Sequence, residues 1–264
     1  MKTITKTTTR LGNSAGVLLP ASWLNAIVNV KLVESPKNYS ELINQLFIIL
    51  KKELPSIKSL MIAGSYAREE QTKNSDIDVI ILNNENKHKK IGKFDMLYLT
   101  EKKIKQDLEK NALPLLPMLR EAKPIINGNL INKYAKYPIN KKNVKWHIDT
   151  TKTMMQEVKK DIEFSKRLKE NTSYASVYSL VLRLRTLYII ECLIKKKAWK
   201  NKEFLNLLKK ITSSLNIYEE YSKIKSSKKT AKNSKVNIEK AEKLMDYINK
   251  KTKEIEKCLN EKKD

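Results

Sequence analysis

The run Gly64-Ser65-Tyr66-Ala67-Arg68, followed by Ser75-Asp76-Ile77-Asp78-Val79-Ile80, constrains this chain more than any other feature. Ile57 to Ala63 is a short apolar strand pattern and Ala67 to Gln71 can form a helix, so Gly64-Ser65 falls where strand gives way to helix. Backbone N–H groups at a helix start have no partner within the helix and bind anions. Asp76 and Asp78 stand two apart in a run that continues Val79-Ile80-Ile81-Leu82, a strand signature that projects both carboxylates from one face. Close carboxylates repel unless a cation lies between them. A hard divalent cation such as Mg2+ takes oxygen ligands and shares them with phosphate.

This order, G-S-x-A-R and then S-D-x-D on the next strand, resembles the nucleotidyltransferase superfamily of DNA polymerase beta type, in particular its minimal and kanamycin-nucleotidyltransferase-like members. The resemblance implies an α+β fold, a small mixed sheet with flanking helices, and a third carboxylate on a neighbouring strand. Asp95 interrupts the strand-like run Lys93-Phe94-Asp95-Met96-Leu97-Tyr98-Leu99. It is either that carboxylate or a charge protecting an edge strand. The short polar connection from Leu82 to Lys93 suits an antiparallel hairpin placing Asp95 beside Asp78.

On the resemblance, Asp76, Asp78 and Asp95 hold two Mg2+ ions and Asp95 serves as general base. Gly64, Ser65 and Arg68 hold the β and γ phosphates of an NTP, with ATP the expected donor. Ser75 either orients Asp76 or closes a turn. The implied reaction moves an NMP, expected to be AMP, to a hydroxyl acceptor and releases pyrophosphate, with alignment and charge supplying most of the rate. The acceptor stays open: a protein tyrosine, an aminoglycoside and a nucleic-acid 3′ end all present hydroxyls.

The first 35 residues read as a separate unit. Thr9 to Leu24 contains Gly12-Asn13-Ser14-Ala15-Gly16-Val17-Leu18-Leu19-Pro20, which resembles the swapped-hairpin AbrB-type DNA-binding domains, with a last strand expected over Ile27 to Val33. A segment this small buries too little apolar surface alone, and in the resembling family two chains exchange hairpins, so a homodimer is implied. DNA contact through Lys2, Lys6 and Arg10, a dimerisation hairpin, or an added β layer are the open readings. Ser35-Pro36-Lys37-Asn38 is a linker. A catalytic unit is expected over residues 38–130, opening with a helix capped by Ser40 whose apolar face packs on the sheet.

Residues 131–264 carry 34 Lys and Arg against 16 Asp and Glu, +18 of the net charge of +25. Such a half attracts polyanions, although Lys scattered over helices is equally a solvated face. This part reads as a basic bundle of four or five helices, after Thr100-capped Glu101 to Lys110, a stretch fragmented by Pro114 and Pro117, and a short strand at Pro124-Ile125-Ile126. Helices are expected over Thr150–Glu170, Ser173–Lys195, Lys202–Leu215 and Ile238–Leu259, with a basic connector before them and a polar loop over Ser226–Lys235.

Arg183 and Arg185 resemble an R-L-R element in the helical domain of kanamycin-nucleotidyltransferase-like proteins, where it implies a substrate contact; an ion pair with Glu191 is the alternative. Trp146 and Trp199 are expected in core or interface, and His147 at the surface. The only histidines, His88 and His147, do not follow an Arg at the spacing of a HEPN ribonuclease. An antitoxin or regulator that binds DNA and a HEPN-type partner is the alternative to an enzyme. No apolar run approaches the roughly 18 residues of a membrane span, the N-terminus has no signal-peptide pattern, and Cys192 and Cys258 lack metal-ligand spacing. A cytoplasmic protein is expected.

Overall fold

The computed structural model describes residues 3–31, 39–73, 75–226 and 234–261. Lys2, Leu32-Val33, the linker 35–38 and most of the loop 226–235 lie outside the described residues. The chain forms two compact units, 1–49 and 50–264. In the first, β1 (Thr9–Leu11) and β2 (Ser14–Gly16) pair antiparallel around Gly12, and a 3-10 turn follows at Ala21–Trp23. The strand expected from Ile27 is not formed over 27–31, where the chain is irregular. Helix α1 spans Tyr39–Leu50, so Ser40 lies inside it rather than capping it.

The second unit holds a five-stranded sheet of β3 (Ser59–Ile62), β4 (Ile77–Leu82), β5 (Lys87–Ile91), β6 (Phe94–Leu99) and β7 (Lys123–Ile126), in the order β5-β6-β4-β3-β7. Strands β4 and β6 are parallel and every other neighbouring pair is antiparallel. The hairpin expected between β4 and Asp95 is therefore replaced by a different connection. The segment taken as a loop contains edge strand β5, which pairs with β6 and lets β6 return alongside β4 in the same direction.

After β3 the chain makes one helical turn, α2 (Gly64–Ala67), earlier and shorter than the helix expected over 67–71. Glu69 takes a left-handed backbone at φ 61° and the Glu70 N–H returns to the Ser65 carbonyl at 2.9 Å, which ends the turn. Helix α3 (Glu101–Lys110) starts where Thr100 accepts from the Lys103 N–H at 3.1 Å, the expected cap. Pro114 and Pro117 do not fragment the next stretch. They stand at the N-cap and in the first turn of α4 (Leu115–Glu121), where proline removes no helical hydrogen bond.

The helices continue as α5 (Gly128–Ala135), α6 (Lys141–Leu168), α7 (Tyr174–Ile194), α8 (Asn201–Thr212), α9 (Asn216–Ser226) and α10 (Ile238–Glu261). Helix α6 begins nine residues before the expected Thr150 because Asn140 and Asn143 form a reciprocal capping box. Residues 141–149 thus belong to the helix, and the basic connector is correspondingly shorter. His147 is half-buried rather than superficial, its Nε2 2.8 Å from Asn111 Oδ1, while Trp146 is 56% exposed and packs edge-on to it.

One apolar core runs from the sheet into the bundle. Met61, Ile80, Leu82 and Leu99 join Leu108, Leu116, Val144, Leu180 and Leu184 in it. Asn143 fastens the two parts together. Buried to 1% exposure, its Nδ2 donates to the Leu108 carbonyl at 3.1 Å and the Pro138 carbonyl at 2.9 Å, while its own carbonyl accepts from Ala112 at 2.9 Å. Replacing Asn143 with Ala orphans the Leu108 and Pro138 carbonyls and removes the Asn143 half of the capping box, so we expect a loss of about 2–4 kcal/mol in urea unfolding. A loss under about 0.5 kcal/mol would show that this joint does not hold the unit together.

Candidate active site

The carboxylates sit where the core face of the sheet runs out. Asp78 and Asp95 are in-register partners on β4 and β6, and Ile80–Leu97 and Leu82–Leu99 follow on the same face by the two-residue period. The acidic pair thus occupies the open end of the face that buries leucines further along. Asp76 precedes the first residue of β4 rather than lying within the strand.

Edge strand β5 adds two groups that sequence reasoning gave no role here. Lys90 lies opposite Asp95 and its Nζ reaches past it to Asp76 Oδ2 at 2.8 Å. His88, two residues earlier, pairs through Nε2 with Asp95 Oδ1. Burial, then the Asp95 charge, pushes the Asp78 carboxyl above the ordinary carboxylate range; Arg68 opposes the shift, Asp76 adds to it, and Lys225 at the end of α9 also lowers it.

Gly64 is held by its neighbours. Its φ of 66° is left-handed, and a Cβ built there would lie 1.7 Å from Asp78 Oδ2. Backbone and carboxylate therefore approach in a way only glycine permits. The Gly64 N–H, expected to face phosphate, donates to Glu121 Oε1 at 2.9 Å. Arg68 Nη1 donates to the other oxygen of Glu121 at 2.6 Å and its Nε to Glu70 Oε2 at 2.9 Å, while its guanidinium lies 4.0 Å from the centroid of the Trp199 ring. Ser75 closes a turn with Thr72, accepting from the Thr72 N–H at 2.8 Å. Ser65 is half-buried at the start of α2.

The two arginines of the R-L-R element diverge, as residues two apart on a helix must. Arg185 lies over Trp199 at 5.0 Å and so joins the Arg68 cluster. Arg183 turns to α6, where Nη1 donates to Thr150 Oγ1 at 3.1 Å and Nε is buried without a partner among the described residues. Neither pairs with Glu191, which takes Lys195 and Lys251. Trp199 is buried, as expected, and with Glu121 lines a cavity of about 330 Å³ edged by Lys136, Lys196 and Lys197.

The donor chemistry is that of a hard divalent cation: three carboxylates, two of them adjacent in register, with Asp78 raised by burial first and then by the charge of Asp95. Lys90 supplies countercharge to Asp76 in this arrangement, and His88 a hydrogen bond to Asp95. Among the described residues no three His, Cys, Asp or Glu side chains are placed to hold an ion, and Asp76 is paired with Lys90.

The family model described as nucleotidyltransferase domain matches residues 43–263. Among solved structures, the chain is similar to a nucleotidyltransferase-like protein from Exiguobacterium sibiricum 255-15, 13% identical over 83% of this chain and 75% of that one, with a TM-score of 0.34. It is also similar to spectinomycin adenyltransferase AAD(9) from Enterococcus faecialis, solved with ATP and spectinomycin, at 15% identity over 82% of this chain and 100% of that one, with a TM-score of 0.42. No curated protein sequence matches the chain. Among the described residues no helix is long and apolar enough to cross a membrane.

Proposed function

The chain belongs to the nucleotidyltransferase domain family, and on that premise we propose that it is a Mg2+-dependent enzyme moving an NMP, with AMP from ATP as the expected case, to a hydroxyl acceptor. The observation that carries the reading is the in-register pair Asp78–Asp95 with Asp76 entering the same strand.

Asp76, Asp78 and Asp95 would hold Mg2+, two ions in this proposal, which supply charge neutralisation for the triphosphate and a lowered pKa for the acceptor hydroxyl. The Asp95 carboxylate takes the proton of that hydroxyl, and His88, hydrogen-bonded to Asp95, fixes its orientation. The acceptor oxygen then bonds to the α phosphorus as the bond to the bridging oxygen breaks and pyrophosphate departs. With the Gly64 amide taken by Glu121, the Ser65 amide and hydroxyl are the donors of the turn left for the β and γ phosphates. Lys225 adds positive charge from the helical part.

Incubation with each of the four NTPs and Mg2+, followed by mass spectrometry of candidate acceptors, tests the reading. One acceptor class gaining the mass of an NMP supports it, and no adduct with any NTP rejects it. In the same assay Asp95→Asn should lower turnover by about 10²-fold or more. Turnover within about threefold of wild type would remove Asp95 from the proton-transfer role.

A further inference from the structure

Arg68 and Gly64 both meet one carboxylate that belongs to neither the acidic face nor the G-S-x-A-R run. Glu121 is the last residue of α4, with Ala122 between it and β7. Its side chain is only 8% exposed, with one oxygen on the Gly64 N–H and the other on Arg68 Nη1. A buried carboxylate with both oxygens engaged by a backbone amide and a guanidinium is a strong, directional clamp. Burial raises its carboxyl pKa, and the Arg68 charge opposes that.

Arg68 is tied down on its other sides too. Glu70 takes its Nε and spends its second oxygen on the Asn201 N–H at 2.7 Å, while Trp199 lies beneath the guanidinium. A guanidinium shared by two carboxylates and stacked on an indole is poorly placed to leave for a phosphate. What it holds instead is the turn. Gly64 is pressed against Asp78, so a displacement of the turn by a few tenths of an ångström moves the Asp78 carboxylate and the Ser65 donors together.

We propose that Glu121 is a positioning residue for nucleotidyl transfer: by clamping the Gly64 amide and Arg68 it fixes the turn that presents Ser65 to the triphosphate and backs Asp78. Arg68 acts through the same clamp rather than as a phosphate ligand. The inference rests on the nucleotidyltransferase reading above. The opposite role, a resident anion competing with the triphosphate for the same donors, predicts the opposite sign on nucleotide affinity.

The test compares full-length wild type, Glu121→Gln, Arg68→Gln and the double variant for ATP binding in Mg2+, kcat at saturating ATP, and melting temperature. In Glu121→Gln the amide oxygen still accepts from Gly64, but an NH2 now faces the guanidinium, so the fold survives and the clamp is broken. ATP binding should weaken about tenfold, with kcat/KM reduced more than kcat. The double variant should lose no more than the worse single one, because the two side chains form one unit. Tighter ATP binding in Glu121→Gln, unchanged binding with a lowered melting temperature, or additive losses in the double variant would each overturn the proposal. Failure of the underlying reading is distinguishable, since wild type itself would then bind no ATP.

Discussion

Asp78→Asn is expected to abolish nucleotidyl transfer, by about 10³-fold or more, because it removes a carboxylate from the centre of the proposed cation site. The same substitution should raise the melting temperature of the metal-free protein. Asp78 is raised above its ordinary pKa by burial first and by Asp95 next, so its ionised form is disfavoured by folding. The sign follows from linkage: a carboxyl with a raised folded pKa binds more protons folded than unfolded, so stability is lost as pH rises through that pKa. The advantage of Asn over Asp is therefore absent below about pH 4 and grows above it. Mg2+ should stabilise wild type by binding the folded state and leave Asp78→Asn unmoved. Thermal melts with and without Mg2+ at pH 4 and pH 7 read all of this. A variant that melts lower than wild type at neutral pH, or retains more than about a tenth of wild-type transfer, contradicts the placement of Asp78.

Gly64→Ala carries the second large effect. A left-handed backbone costs a side-chain-bearing residue about 1–2 kcal/mol, and here the new Cβ also meets the Asp78 carboxylate at 1.7 Å. Either the turn or the carboxylate must move. We expect a total destabilisation of about 2–4 kcal/mol and transfer reduced by about 10²-fold, since misplacement by an ångström costs that much. Gly12→Ala separates strain from collision: φ is 58° there, with nothing within 4 Å of the added carbon. It should cost only about 1 kcal/mol and leave transfer intact. Equal losses for the two variants, in stability and in transfer, would mean that the approach of Gly64 to Asp78 has no functional weight.

Much of the acidic face was legible because its signal is local. Asp76 and Asp78 are two apart, and Asp95 breaks an apolar run, so their convergence needed only strands in register. The topology delivering Asp95 was misread for a physical reason. Strand β5 is an exposed edge, Lys87-His88-Lys89-Lys90-Ile91, and an edge strand guarded by lysines has no buried face to impose apolar alternation. The contacts of Lys90 with Asp76 and of His88 with Asp95 were missed with it.

Other signals were present and unused. Asn140 and Asn143 announce the start of α6, and Arg183 and Arg185 at a spacing of two on a helix could not share a face. Glu121 was beyond reach. It lies 57 residues from Gly64, and nothing in Leu119-Arg120-Glu121 distinguishes a clamp from a solvated helix end until the sheet brings β7 beside β3.

The most direct measurement follows the two ends of the triphosphate in one reaction. Wild-type protein is incubated in Mg2+ with an acceptor identified by the NTP screen, using ATP labelled at the α phosphate in one tube and at the γ phosphate in the other. The account predicts α label covalently on the acceptor, γ label released as pyrophosphate in equal amount, and neither event with Asp76→Ala. Transfer of the γ label, release of γ label as free phosphate, or undiminished transfer by Asp76→Ala would contradict it.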